Sequence, residues 1–214
     1  MVIIYIGDQM KQKVIENKRT KQMKLMQSAF ELFCQNDIQK VTVQQIVDKA
    51  GVAKGTFYLY FKDKYEIRDL LISSEATNLF QKAHHQLEVN DIRNFEDSVI
   101  FLVNQVLIDL ENNPILLNFI QRNLSWGIFQ THLKQAINDE GINLVDDFNT
   151  RALENGYYFE KPEVTLYLII EMVGNACYNS IINKQPIAIH ELKPYLFDAV
   201  RAILSQKKVI KKDE

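Results

Sequence analysis

The chain has 214 residues, 47% hydrophobic and 24% charged, which is enough apolar material for a core and too balanced for a disordered segment. With 7 Gly and 4 Pro there is little for turns, which excludes a many-stranded β protein, and two cysteines, Cys34 and Cys177, cannot build a disulfide framework. The net charge of -2 hides a division: residues 1–64 carry 11 Lys/Arg against 6 Asp/Glu, net +5, and residues 65–214 carry 14 against 21, net -7. A basic head on an acidic body points to a polyanionic partner for the head.

The first residues are apolar only over 2–6, with no basic flank and no small-residue cleavage site. That is not the pattern of a signal peptide, so a cytoplasmic location is expected, with residues 1–18 as an extension ahead of the first domain. Basic residues including Lys11, Lys13, Lys18, Arg19 and Lys21 lead into a helical stripe of Leu25, Met26, Ala29, Phe30 and Phe33. Asn36-Asp37 ends it, and Thr42 is placed to cap a short second helix over 43–50, with Ile46, Val47 and Ala50 facing inward. Gly51 follows, then a third helix over 53–61, and Asp63 is suited to cap a longer one over 65–88. Further helical patterns cover 95–111, 114–137, 141–155, 162–183 and 190–205, with Pro114 and Pro162 at starts that tolerate proline. The expected fold is all-α, about nine helices: a helix-turn-helix head over 19–64, reaching to about 72, and a helical body over 65–214. The longest apolar stretch, 164–182, contains Glu171, Asn175 and Asn179, so no membrane span is expected.

Residues 41–64, VTVQQIVDKAGVAKGTFYLYFKDK, carry the chemistry. Two short helices around a tight turn containing Gly form a helix-turn-helix pattern, and Gly51 suits the left-handed backbone that ends the first. Phe57 and Phe61, four apart, share an inward face, which turns Lys54, Thr56, Tyr58 and Tyr60 outward. Tyr and Thr hydroxyls reach phosphates, apolar edges meet thymine methyls, Lys54 neutralises backbone charge and Gly55 permits close backbone approach. The competing reading packs the tyrosine rings on their own domain and wets only their hydroxyls.

This segment resembles the tetracycline-repressor-like (TetR) family of bacterial regulators. The likeness rests on Phe30 and Phe33, then Thr42, Ile46 and Ala50-Gly51-Val52, then the run from Lys54 to Phe61, and Lys64. It implies a three-helix head that binds double-stranded DNA at a pseudo-palindromic operator, a body that dimerises and binds an unknown small-molecule effector, and repression that the effector relieves. Carried over by position, Thr42 resembles a phosphate contact, Thr56, Leu59 and Tyr60 look like groove-facing positions, and Tyr58 and Lys64 resemble phosphate anchors. Val43 stands where many members have a second Thr, so no extra contact is carried over there.

In the body, a nearly all-apolar helix over 164–182 offers two stripes to bury. One of them (Leu166, Ile170, Val173, Cys177 and Ile181, with Gly174 for close approach) joins Leu196, Val200 and Ile203 of the last helix as the expected homodimer interface. A wholly internal core helix is the other reading. Aromatics mixed with amides suggest a ligand cavity lined by Phe101, Asn104, Gln105, Phe119, Arg122, Asn123, Trp126 and Phe129, with Tyr167 and Glu171 opposite; ordinary core explains the same aromatics. His84, His85, His132 and His190 have no metal-ligand spacing, and there is no phosphate loop, GxSxG or HExxH, so no metal, no cofactor and no catalytic residues are expected. Two further readings stay open: a regulator of the same fold controlled by a protein partner or by no ligand, and a helical protein–protein adaptor without DNA binding.

Overall fold

A computed structural model describes the backbone of residues 2–123 and 144–205, and the side chains of residues 13, 15–121 and 144–205. The described residues contain nine α-helices and no strand: α1 (Val2–Gln35), α2 (Val43–Ala50), α3 (Lys54–Phe57), α4 (Lys64–Val89), α5 (Phe95–Asn112), α6 (Pro114–Asn123), α7 (Leu144–Glu154), α8 (Pro162–Tyr178) and α9 (Ile189–Ser205). The chain divides into two compact units, Met1–Leu71 and Ile72–Glu214, so α4 gives its first turns to one and the remainder to the other.

In the first unit, Leu25, Ala29 and Phe33 of α1, Ile46 and Val47 of α2, Phe57 and Phe61 around α3, and Ile67 of α4 are all buried. Burying Phe57 and Phe61 against helices of this size stabilises the unit by roughly 1.5–3 kcal/mol per side chain. The basic lead-in expected as an extension is helical from Val2, because α1 runs unbroken through Arg19 to Gln35. Asp37 starts a one-turn 3-10 helix (Ile38–Lys40) by accepting a bond from the Gln39 N–H.

The second unit is built on α5 and α8. Helix α9 packs on both, α6 packs on both, and α7 packs on α8. An aromatic cluster closes one end: the Phe95 ring lies 5.1 Å from Phe148 and 4.9 Å from Tyr157, and Phe148 lies 5.1 Å from Phe159. The Tyr157 hydroxyl donates to Glu96 Oε1 at 2.6 Å, and burial followed by that bond pushes its pKa up to about 12.

The helix expected over 162–183 ends its α geometry at Tyr178 and continues as a π turn, Asn179–Asn183. Asn179 Nδ2 bonds back to the Asn175 carbonyl and Asn183 Nδ2 to Asn179 Oδ1, while Lys184, at φ +53, terminates the turn. Asn side chains compete locally for backbone partners, which is the physical reason the regular ladder stops here. No helix among the described residues is long and apolar enough to cross a membrane.

Candidate nucleic-acid interface and ligand cavity

The head's two short helices are set by caps. Thr42 Oγ1 accepts from the Gln45 N–H at 3.2 Å, and Gln45 Oε1 accepts from the Thr42 N–H at 2.8 Å, a reciprocal capping box. Gly51, at φ +67, ends α2 in the left-handed region, where its N–H turns back to the Asp48 and Val47 carbonyls.

Helix α3 is shorter than the sequence pattern suggests. It is α-helical only over Lys54–Phe57 and then tightens into a turn, with Leu59 N–H donating to Thr56 O at 3.3 Å and Tyr60 N–H to Phe57 O at 3.0 Å. Ala53 supplies no side-chain cap. Gly55 adds little helix propensity, and burial of Phe57 and Phe61 draws the turn in.

That turn carries the exposed face. Leu59 is 80% exposed and Tyr58 54% exposed, Lys54 and Gly55 are exposed, and Thr56 and Tyr60 are half-buried. The Tyr58 ring stands edge-on to Phe57 at 5.3 Å and Tyr60 leans on Phe61 at 6.3 Å, so buried aromatics hold both rings from behind. A bare leucine between two tyrosines, rimmed by Lys54 and the exposed Lys62, is an unfavourable solvent face and a fitting one for base edges and sugars.

Two expected phosphate contacts are otherwise engaged here. The Thr42 hydroxyl also donates to Gln45 Oε1 at 3.0 Å, closing the cap on itself. Lys64 Nζ donates to the carbonyls of Ile38 at 2.8 Å, Gln39 at 3.0 Å and Val41 at 2.8 Å. An ammonium has three N–H groups, so this geometry makes Lys64 a clasp on the turn ahead of α2 rather than a free anchor.

In the second unit an apolar cavity of about 220 Å³ lies among α4, α5, α6, α7 and α8. Its walls include Leu79 and Phe80 of α4, Leu102, Val103 and Val106 of α5, Phe148 of α7, and Ile169 and Val173 of α8. The polar lining residues are Ser98, Gln121, Asp147 and Arg151. Asp147 and Arg151 pair one turn apart on α7, with Arg151 Nε donating to Asp147 Oδ1 at 3.1 Å and its Nη2 donating to Glu88 of α4. Burial works against the Arg151 charge, but its bonds to Glu88 and Asp147 together outweigh that and hold its pKa above the ordinary value.

This cavity has a lining different from the one the sequence suggests. Phe101, Asn104, Gln105, Phe119, Tyr167 and Glu171 are not on its walls, Arg122 and Asn123 have their side chains outside the described residues, and Trp126 and Phe129 lie outside them altogether. The α5 wall of this cavity is the plain apolar stripe Val99, Leu102, Val103, Val106 and Leu110, not the polar-aromatic face. Amides on α6 and α8 tie these two helices together: Gln121 Nε2 donates to Asn175 Oδ1 at 3.0 Å, and the Tyr178 hydroxyl to Asn118 Oδ1 at 3.2 Å.

Five of the nine residues expected in the dimer stripe are taken up by the protomer's own core. Leu166, Val173, Cys177, Leu196 and Val200 are buried within the protomer, and Ile170, Gly174, Ile181 and Ile203 are half-buried. Leu166, Ile170, Val173, Gly174 and Cys177 line the cavity. A helix apolar all round gives no sign of which stripe faces its own core. The faces left open are Val164 and Leu168 (51% exposed) on α8 and Tyr195 (70% exposed) on α9.

The family model for bacterial regulatory proteins of the tetR family matches residues 25–71, the segment that holds the caps, the Gly51 turn and the tyrosine face. Residues 25–71 therefore carry a TetR-type DNA-binding domain. A fatty acid metabolism regulator protein of Bacillus subtilis is 24% identical over 155 residues, covering 71% of this chain and 78% of that one. An uncharacterised HTH-type transcriptional regulator of the same organism, YvdT, is 37% identical over 86 residues, covering 40% and 41%. The solved structure of the regulator FadR from Bacillus subtilis, in complex with stearoyl-CoA, superposes with a TM-score of 0.63 at 19% identity, over 86% of this chain and 97% of that one. With that domain and these relatives the chain is a DNA-binding transcriptional regulator, and α3 with its following turn is its candidate reading element. Among the described residues no group of His, Cys, Asp or Glu is arranged to hold a metal ion.

Proposed function

We propose that this regulator is a cytoplasmic homodimer that represses transcription from a pseudo-palindromic operator and leaves it when a long-chain apolar ligand fills the body cavity. It works by binding rather than by catalysis. The observation that carries the ligand reading is the cavity itself, whose walls are almost wholly hydrocarbon and include Ala76, Leu79 and Phe80 of α4, the helix that begins in the head. A chain-like ligand matches such a lining. The complex of a similar protein with stearoyl-CoA supports an acyl chain as the occupant. An open cavity also weighs against control by no ligand at all.

The DNA contacts divide by chemistry. Lys54 and Tyr58 supply phosphate contacts, which are salt-sensitive and indifferent to sequence, with Gly55 allowing backbone approach; Thr56, Leu59 and Tyr60 face base edges. Thr42 and Lys64 act chiefly by fixing α2 and the turn before it. The second copy of the chain docks on the open strips of α8 and α9 that include Leu168 and Tyr195, presenting two heads to successive major grooves about 34–36 Å apart.

Selection of duplexes from a random library on the full-length protein, followed by anisotropy titration of the winner with and without stearoyl-CoA, tests this reading. Retention of an inverted-repeat duplex that the acyl-CoA releases supports it. Failure to enrich any duplex, or an enriched duplex on which acyl chains have no effect, contradicts the DNA and ligand parts respectively.

A further inference from the structure

The charged residues on the cavity wall, among the described residues, are Asp147 and Arg151. Arg151 bridges two helices: Nε holds both oxygens of Asp147, at 3.1 and 3.2 Å, on its own helix, and Nη2 holds Glu88 Oε1 in the last turn of α4. His84 Nε2, also on α4, stands 3.6 Å from Asp147 and 3.9 Å from Glu88 without a hydrogen bond. Arg151 and Asp147 are largely buried, whereas the Glu88 side chain is more than half exposed.

We propose that Arg151 receives the anionic end of the chain-bearing ligand, and that binding exchanges the ligand's anion for Glu88 and so unfastens α4 from α7. The inference rests on the reading that the cavity takes such a ligand. Two carboxylates already face one guanidinium, an excess of negative charge, so a third anion is admitted at least cost when one of them leaves. Asp147 is held through both oxygens in a part-buried i,i+4 pair, while Glu88 makes one bond and borders water, so Glu88 leaves at the lower desolvation cost. A guanidinium fork suits a carboxylate or phosphate equally, so the anion is either the chain's own carboxylate or the phosphates of a carrier such as coenzyme A.

The exchange couples filling to signalling because α4 plays two parts. Ala76, Leu79 and Phe80 touch the apolar part of the occupant, and Glu88, two to three turns further on, is the group displaced. An uncharged chain of the same length fills the same walls yet leaves the Arg151–Glu88 tie intact.

Calorimetric titration of the full chain with laurate, lauroyl-CoA, dodecanol and dodecyltrimethylammonium tests this in the wild type, Arg151→Met and Glu88→Gln. The wild type is expected to favour laurate or lauroyl-CoA over dodecanol by at least tenfold. That ratio falls to within about twofold in Arg151→Met and rises severalfold in Glu88→Gln, where the competing carboxylate is gone. Whichever of laurate and lauroyl-CoA shows the preference identifies the source of the anion. Equal binding of charged and uncharged chains by the wild type, tightest binding of the trimethylammonium, or a Glu88→Gln ratio at or below the wild-type value overturns the exchange while the cavity reading stands. If no chain compound binds, the cavity reading fails and takes the exchange with it. Should Arg151→Met not fold, Glu88→Gln decides alone.

Discussion

Lys64 Nζ meets the Val41 carbonyl at 2.8 Å across 23 residues of chain, and the same ammonium also holds the Ile38 and Gln39 carbonyls. The first residue of α4 thereby fastens the turn that delivers Thr42 to the start of α2. The position reads as a phosphate anchor by family likeness, yet its three donors are directed inward.

Lys64→Ala is therefore expected to weaken the head itself, by roughly 1–3 kcal/mol for carbonyls left without a donor. Hydrogen exchange over residues 38–50 of the full-length protein reads this directly. Faster exchange there, before any DNA is added, is the expected result. Unchanged exchange with weaker DNA binding alone would return Lys64 to the role of a free anchor.

On DNA, Leu59→Ala and Lys54→Ala should part company. Leu59 is the most exposed large apolar side chain on the turn, so its loss should blur preference among duplexes while leaving the salt dependence intact. Lys54→Ala should weaken all duplexes alike and lower the salt slope by about 1 per protomer. Anisotropy titrations at several salt concentrations check both, and identical behaviour of the two variants contradicts the division of roles.

Much of the head was legible from residues 41–64 because local chemistry fixes it. Thr42 caps, Gly51 takes φ +67, and Phe57 and Phe61 turn inward as their spacing requires. What the pattern missed there is long-range: nothing near Lys64 in sequence announces carbonyls more than twenty residues back. In the body the helices were readable but their faces were not. Leu166, Val173 and Cys177 form a stripe equally suited to a dimer seam, a core or a cavity wall, and only packing separates these. Arg151 and Asp147 show an i,i+4 pair in sequence, yet Glu88 joins them from 63 residues away.

Cys177 offers a probe of the cavity. Burial pushes its thiol up to about 11, against about 8.5 for an ordinary cysteine, and it lies on the cavity wall. Alkylation by iodoacetamide at pH 8, followed by mass spectrometry, should be slow at Cys177, on the order of a hundredfold below a free thiol. Saturating laurate should slow it further. A Cys177 that reacts like a free thiol would contradict the burial, and one indifferent to a ligand that does bind would move the ligand elsewhere.

Glu75 sets a pH signature. Burial raises its carboxyl above the ordinary carboxylate range, with Lys82 opposing. A carboxyl raised in the folded state contributes stability that is present below its unfolded value and lost as pH climbs through its folded value. Glu75→Gln should thus unfold at a higher temperature than wild type at neutral pH, and the gap should close near pH 4, where Glu75 is protonated. Scanning calorimetry at both values checks it; a gap of the same size at each pH would contradict the desolvation account.

Hydroxyl-radical footprinting of the full-length protein on its selected duplex bears most directly on the regulator reading. Two protected half-sites are expected, one helical turn or a multiple of it apart, related by a dyad and both erased by stoichiometric acyl ligand. Uniform cleavage along the duplex, or a single protected patch without a dyad mate, would contradict paired heads reading DNA through the Tyr58–Tyr60 turn.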